Sequence, residues 1–422
     1  MGHQSQFIRY FIQTLSGASL LFAAQLTVSA APMSGDVPLE IEQPAYQTPW
    51  KRYGNWPQED WSQFNTLDKP RTSIQAPPVG KMQPVPNPIV GDAENGKKLV
   101  ADRSRGGSCY ACHAMPGASL PGNVGPEFFN VGSWGRSDEH LYNYIYDPRA
   151  FNPGTVMPPW GAHGVFTQQE IFDIVTYLKT LTGKGGYPDS MENPFTRPEP
   201  VEDRDNLDLF ENPGMLGQEL GEQLYSVAGP NGQSCASCHE KPAQLFKTWA
   251  TSMPRFEARL NKMLGIEEFI TRHARATMDI DYPMQSKQNT GLSIYLRHLA
   301  NGQAIAMDTS DPNTQAALAR GEALSVVKLG QLNFACIDCH DFGAKRWIRG
   351  QYLSGVEGMI AHFPTYRTSR TEIWDIRKRL QWCGVAIRAN ELPPDAPEYG
   401  DIELFLNVKN NGKTFSVPGI RH

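Results

Sequence analysis

"CYACH" at residues 109–113 recurs as "CASCH" at 235–239 and "CIDCH" at 336–340, and these stretches use six of the seven cysteines in the 422-residue chain. Two thiols three apart, followed at once by histidine, can both add to the vinyl groups of one haem while the adjacent imidazole becomes the proximal iron ligand. A single copy could be read as a zinc or disulfide site. Repetition favours covalent c-type haem, one per motif, on Cys109, Cys112 and His113, on Cys235, Cys238 and His239, and on Cys336, Cys339 and His340. Seven cysteines in a chain of this length are too few for a disulfide scaffold.

Working outward, each motif follows a short helical stretch that opens with Gly-x-x-Leu, at Gly96, Gly221 and Gly321. Each unit also closes on an amphipathic helix. The clearest is "TQQEIFDIVTYLKTL", where Thr167 and Glu170 spell a capping box and Ile171, Ile174, Tyr177 and Leu178 keep the helical period. A helix, a haem-binding loop and a closing helix is the plan of a class I cytochrome c domain, so the expected fold is mainly α, with three such domains.

The expected boundaries are a signal peptide at 1–30, a Pro- and aromatic-rich extension at 31–86 packed on the first domain, and a first haem domain at 87–185. A linker at 186–206, rich in Pro and acid, precedes a second haem domain at 207–308 and a third at 309–422. In the leader, Arg9 precedes an apolar run from Leu15 to Leu26, and "TVSAAP" offers Val28 and Ala30 to a signal peptidase. Gln13, Thr14, Ser16 and Gln25 interrupt that run, which falls short of the ~20 apolar residues a membrane span needs. The expectation is an exported, periplasmic protein that starts near Ala31 and has no membrane span after cleavage. A net charge of −5 argues against nucleic acid as a partner. An anionic substrate would need a local cation to hold it.

Residues 254–302 and 364–412 superpose without a gap: Phe256 meets Tyr366, Ile266 meets Ile376, Pro283 meets Pro393, and Asn301-Gly302 meets Asn411-Gly412. Such a match reads as an internal duplication, in which equivalent positions do equivalent work. It sets His273 opposite Cys383, the one cysteine outside the motifs, each on an apolar helical face. His273 is therefore the candidate distal ligand of the second haem and Cys383 that of the third. His298 rivals His273, with Met253, Met263, Met278 and Met284 weaker. In the first unit "NPGTVMPPW" offers Met157, with His163 and Met115 as alternatives. Methionine raises an iron potential and an anionic thiolate lowers it, so the first haem reads as the electron outlet and the third as hard to reduce.

Arg379 lies one helical turn before Cys383, where the second unit has Phe269. A guanidinium there favours thiolate over thiol and can hold a dianion beside the sulfur. The plain alternative is a solvated arginine in the run Arg377 to Arg379.

With these residues in view, the chain resembles the sulfur-oxidising SoxXA cytochromes. Residues 87–185, with "GDAENGKKLVADRSRGGSCYACHAMPG", "LPGNVGPEF", "DPRAFNPGTVMPPWG" and "LTGK", look like SoxX. Residues 207–412 look like SoxA, with "FPTYR", the Arg-x-x-x-Cys of Arg379 and Cys383, and "RANELPP". The resemblance implies a natural SoxX to SoxA fusion carrying three covalent haems and acting as a haem-dependent L-cysteine S-thiosulfotransferase. It would join thiosulfate oxidatively to a cysteine of the SoxYZ carrier and pass two electrons to a periplasmic cytochrome c. The resemblance also implies that Cys383, with Arg379 beside it, is a haem ligand often found as a persulfide. Dihaem SoxA proteins typically carry a second cysteine where this chain has His273. Two other functions remain open: a thiosulfate dehydrogenase that forms tetrathionate, and a plain triheme electron carrier.

Overall fold

The computed structural model describes residues 36–69, 82–200 and 206–422. The expected signal segment, 1–30, lies outside them. In the first haem unit, α1 (Ala93–Ala101) precedes the motif, and α2 (Asp138–Tyr146) and α3 (Gln168–Thr180) follow it. In the second, α4 (Met215–Tyr225) leads into a motif coiled as the short α5 (Cys235–Cys238), followed by α6 (Pro242–Trp249). The hairpin of β1 (Arg255–Glu257) and β2 (Lys262–Leu264) then precedes α7 (Ile266–Met278) and α8 (Lys287–His298). The third unit begins with α9 (Pro312–Ser325), and after its motif come β3 (Trp347–Ile348) and β4 (Gln351–Tyr352). A second hairpin, β5 (Thr365–Arg367) with β6 (Glu372–Trp374), leads to α10 (Ile376–Ala386), α11 (Pro397–Lys409) and β7 (Gly419–Arg421).

Local chemistry sets the helix ends. Thr167 and Glu170 close the expected capping box on α3. Asp311 accepts from the Thr314 amide at the start of α9, with Pro312 at the first helical position. The structure also supplies the reason for Gly-x-x-Leu: the opening and closing helices of each unit cross at that glycine. A Cβ at Gly96 would run into the backbone oxygen of Asp173, one at Gly221 into that of Gly291, and one at Gly321 into that of Asp401. Only hydrogen fits, so each helix pair reaches backbone contact.

The second and third units repeat each other at a spacing of 110 residues. β1 pairs with β2 through Arg255↔Leu264, Phe256↔Met263 and Glu257↔Lys262. β5 pairs with β6 through Thr365↔Trp374, Tyr366↔Ile373 and Arg367↔Glu372, which is the same register. In each case a helix starts two residues after the hairpin, at Ile266 and at Ile376. The third unit adds β7, which runs parallel to β5 and sets Arg421 beside Arg367.

Charges fill the contact between these two units. Arg377 reaches Glu268 at 3.2 Å and Glu403 at 3.0 Å, with all three side chains almost fully buried. Lys262 and Arg272 also reach Glu268, at 2.6 and 2.9 Å. Lys378 is buried as well and reaches Glu372 at 2.6 Å. The run Arg377 to Arg379 is therefore not a solvated face.

The extension does not pack mainly on the first domain. Trp56, Trp61 and Phe64 form a cluster with Trp374 and Val385 of the third unit, Arg52 pairs with Glu391 at 2.7 Å, and the Glu40 amide donates to the Arg272 carbonyl. On the first unit, Phe64 meets the His163 ring, Gln83 exchanges hydrogen bonds with Asn143 and Val85 packs on the core. The physical reason is that indole and phenyl rings must leave water, and the aromatic surface that receives them belongs to Trp374 and Trp382. Part of the expected linker is also fixed in place. Buried Arg197 donates to the carbonyls of Pro121, Met191, Glu192 and Arg349 and sits over the Trp347 ring, tying the first unit to the third.

Candidate functional site

One cavity of about 1990 Å³ is lined by Cys109, Cys112, His113 and Met157 of the first unit and by Cys336, Cys339, His340 and Cys383 of the third. That is roughly twice the upper end of a small-molecule pocket. Its first-unit wall includes Phe128, Leu141, Ile174 and Leu178, an apolar lining suited to a flat macrocycle. The second motif lies outside it, with Cys238 exposed and the Cys235 sulfur 3.9 Å from that of Met278.

The histidines are oriented as iron ligands need to be. His113 Nδ1 donates to the Pro126 carbonyl at 2.7 Å, and His340 Nδ1 to the Ser354 carbonyl at 3.0 Å. In each ring this leaves Nε2 as the acceptor, on a residue that lines the cavity. Phe128 stacks on His113 at 4.1 Å. Burial holds the imidazoles of His113, His239, His273 and His340 below their ordinary pKa, His113 down to about 4. They are therefore in the neutral form that ligates a metal. Burial also pushes the free thiols of Cys109, Cys112, Cys336 and Cys339 up to about 12. That setting suits thiols and thioethers rather than the thiolates of a zinc site.

At the second motif the structure brings the rings of His239 and His273 together, with centroids 6.1 Å apart and planes tilted by 34°. A nitrogen ligand sits about 2 Å from its metal, so two imidazoles on opposite sides of one ion have centroids about 6 Å apart. His273 Nδ1 donates to the Pro38 carbonyl of the extension at 2.8 Å, which leaves Nε2 as the acceptor nitrogen. His298 lies instead against the C-terminal segment, its Nδ1 by the Val417 carbonyl at 2.9 Å and the Asn301 amide at 3.1 Å. Met253 and Met263 are fully buried in the core, and Met278 and Met284 nearly so.

In the first unit Met157 lines the cavity with His113, whereas Met115 is fully buried in the core. His163 has both ring nitrogens occupied, Nδ1 by the Gln331 carbonyl at 2.8 Å and Nε2 by Arg149 at 3.3 Å. In the third unit Cys383 and Arg379 project from α10 into the cavity with Cys336, Cys339 and His340. Sequence reasoning missed the setting of that pair. Arg367, Arg370 and Arg421 line the same cavity. "FPTYR" contains Arg367 but gave it no role, and no local signal could have put Arg421 beside it. These residues fit haem c: thiols to attach it, neutral imidazoles to ligate it and apolar walls to enclose it.

The comparisons with known proteins agree with this chemistry. Residues 220–305 match the SoxA/TsdA cytochrome c domain, and residues 91–178 match cytochrome c oxidase, cbb3-type, subunit III. The L-cysteine S-thiosulfotransferase subunit SoxA of Pseudaminobacter salicylatoxidans is 31% identical over 216 residues, covering 51% of this chain and 75% of that one. The SoxA subunit of Chlorobaculum tepidum is 27% identical over 209 residues, covering 50% of this chain and 72% of that one. Among solved structures, SoxXA from P. pantotrophus aligns at a TM-score of 0.47 and 25% identity, over 50% of this chain and 80% of that one.

Fold and site together define a c-type cytochrome, mostly helical, that binds haem covalently. The chain belongs to the SoxA family, and its SoxA-related half follows a further cytochrome c domain.

Proposed function

We propose that the chain is a triheme L-cysteine S-thiosulfotransferase that works in the periplasm, with its second and third units arising by duplication. His113 and Met157 would hold the first haem, His239 and His273 the second, and His340 and Cys383 the third. Bound haem supplies a one-electron acceptor at each site. The protein's own part is to bring thiosulfate to Cys383 through Arg379. The outer sulfur of thiosulfate bonds to the Cys383 sulfur with loss of two electrons. The carrier's cysteine thiolate then attacks that outer sulfur, and the bond to Cys383 breaks. The product is the carrier's cysteine S-thiosulfonate, and Cys383 leaves as thiolate, ready for another cycle. The electrons pass to a periplasmic cytochrome c, and the carrier is SoxYZ.

The observation that carries this reading is the pairing of Cys383 with Arg379 on one wall of a cavity that also reaches the first motif, in a chain related to SoxA thiosulfotransferases. No helix of the described residues is long and apolar enough to cross a membrane. A second reading, oxidation of two thiosulfates to tetrathionate, has the matched domain model in its favour, since that model spans SoxA and TsdA. The deciding experiment follows haem reduction by thiosulfate with and without SoxYZ. Reduction that requires the carrier, and leaves the carrier heavier by one thiosulfonate, supports transfer; tetrathionate formed without a carrier overturns it.

A further inference from the structure

Nine arginines line the cavity against four carboxylate residues, in a chain whose net charge is −5. Two of those carboxylates are already paired, Glu391 with Arg52 and Asp338 with Lys328. The cationic excess is therefore local and is not neutralised by the cavity's own acids.

Within it, Arg367 is the least comfortable residue. Its side chain is 7% exposed and its Nε has no hydrogen-bond partner. Leaving a buried guanidinium N–H unpaired is costly. Parallel pairing of β5 with β7 sets Arg421 directly opposite it, and like charges opposite one another in a sheet repel. Arg379 faces the same space from α10. Among the described residues, no carboxylate lies within ion-pairing distance of Arg367 or Arg379. Burial first, and then the neighbouring charges of Arg379, Arg421 and Arg370, pull the Arg367 pKa down to about 9.

The second unit is an internal control. At the positions of Arg367 and Arg379 it carries Glu257 and Phe269, and Glu257 is satisfied by Arg259 at 2.8 Å. The cation cluster therefore belongs to the cysteine-bearing copy and is not a general requirement of the hairpin.

We propose that Arg367, backed by Arg421 and facing Arg379, is a second oxyanion-binding residue of this cavity that takes the sulfonate end of thiosulfate. A guanidinium offers parallel N–H donors to two oxygens of a tetrahedral anion. Arg379, one turn from Cys383, serves the sulfur end, so two points of attachment fix which sulfur meets the cysteine. The proposal rests on the reading above for the identity of the anion but not for the existence of the site. The same group would receive the terminal sulfonate of the thiosulfonate carried by the partner's cysteine.

The test uses the haem-loaded full chain at constant ionic strength, with chloride exchanged for sulfate or thiosulfate. Binding is followed by the absorption and EPR of the third haem, and stability by the thermal midpoint. In wild type, thiosulfate gives a saturable spectral shift and sulfate raises the midpoint. Arg367→Gln should weaken thiosulfate binding about tenfold or more, lose the sulfate-dependent rise and keep the anion-free spectrum. It should melt no lower than wild type in chloride, because it removes a like-charge contact. Arg367→Lys should recover part of the affinity. Unchanged thiosulfate binding by Arg367→Gln overturns the proposal, as does a midpoint that collapses equally in every anion. If Arg367→Gln binds normally while transfer still needs Cys383, the site fails and the functional reading stands. If binding needs Arg367 while Cys383→Met transfers normally, the reading fails and the site stands. A carrier-bound thiosulfonate that shifts the spectrum in wild type but not in Arg367→Gln identifies the product end as a second occupant.

Discussion

The ring of His273 lies beside that of His239 at 6.1 Å between centroids, and a carbonyl from outside both helices, that of Pro38, fixes its tautomer. If the pair holds the second haem, His273→Met should convert a bis-histidine EPR signal to a His/Met one and leave the other two centres untouched. His298→Met should change none, because it is His273 whose ring pairs with His239, while His298 lies against Val417 and Asn301. A second-haem signal that follows His298 instead would refute the assignment.

The helix crossings should tolerate no added carbon. Gly321→Ala pushes a methyl into the Asp401 backbone oxygen and should destabilise by about 1–3 kcal/mol. Gly54→Ala, where a Cβ meets nothing within 4 Å, should be nearly neutral. Urea unfolding of the two haem-loaded variants makes the comparison.

Arg377 is needed because two carboxylates depend on it. Arg377→Met leaves Glu268 and Glu403 without this partner and should cost about 3–5 kcal/mol, since unpairing a buried charge is far worse than replacing the whole set. Adding Glu403→Gln should recover part of the loss. A single variant as stable as wild type would show that the remaining cations suffice.

Asp375 caps α10 and is buried, and burial followed by the charge of Glu267 pushes its carboxyl up to about 7. A carboxyl with a raised folded pKa supports folding fully below its unfolded value, near 4, and loses that support as pH rises through about 7. Asp375→Asn keeps the acceptor for the Lys378 amide and removes the titration. Between pH 4 and 7, wild type should therefore lose more stability than the variant. Parallel pH profiles would show that the group does not titrate in that window.

How much of this was legible in the sequence depended on the range of each interaction. Haem motifs, caps and the 110-residue register are local patterns, so His273 and Cys383 could be placed opposite each other from spacing alone. The rest turns on contacts between distant segments. The extension's rings have no periodicity to say that Trp374 and Trp382 await them. His163 is a plausible ligand until the fold sets Arg149 against its Nε2 while Gln331, from another unit, holds its Nδ1. Arg421 joins Arg367 only through a parallel strand pairing that no turn signals. Gly-x-x-Leu was visible as a repeat, but its cause is the backbone crossing.

Arg379 and Cys383 share a cavity wall, and the repeat offers a substitution already accepted at the equivalent position, Phe269. Arg379→Phe should therefore fold and attach its haems while removing the cation one helical turn from Cys383. Arg379 and Arg367 approach one anion from different elements, α10 and β5, so losing Arg379 should leave residual binding through Arg367 but misplace the outer sulfur. A charge-assisted bond to arginine is worth about 1.5–3 kcal/mol, so carrier-dependent transfer should fall about tenfold or more. Because the lost contact also sets geometry, the fall should appear in kcat as well as in KM. Pyridine haemochrome quantification should show the same haem content as wild type. A variant with full haem content and near-normal kcat would mean that Cys383 serves only as a ligand and that the sulfur chemistry lies elsewhere.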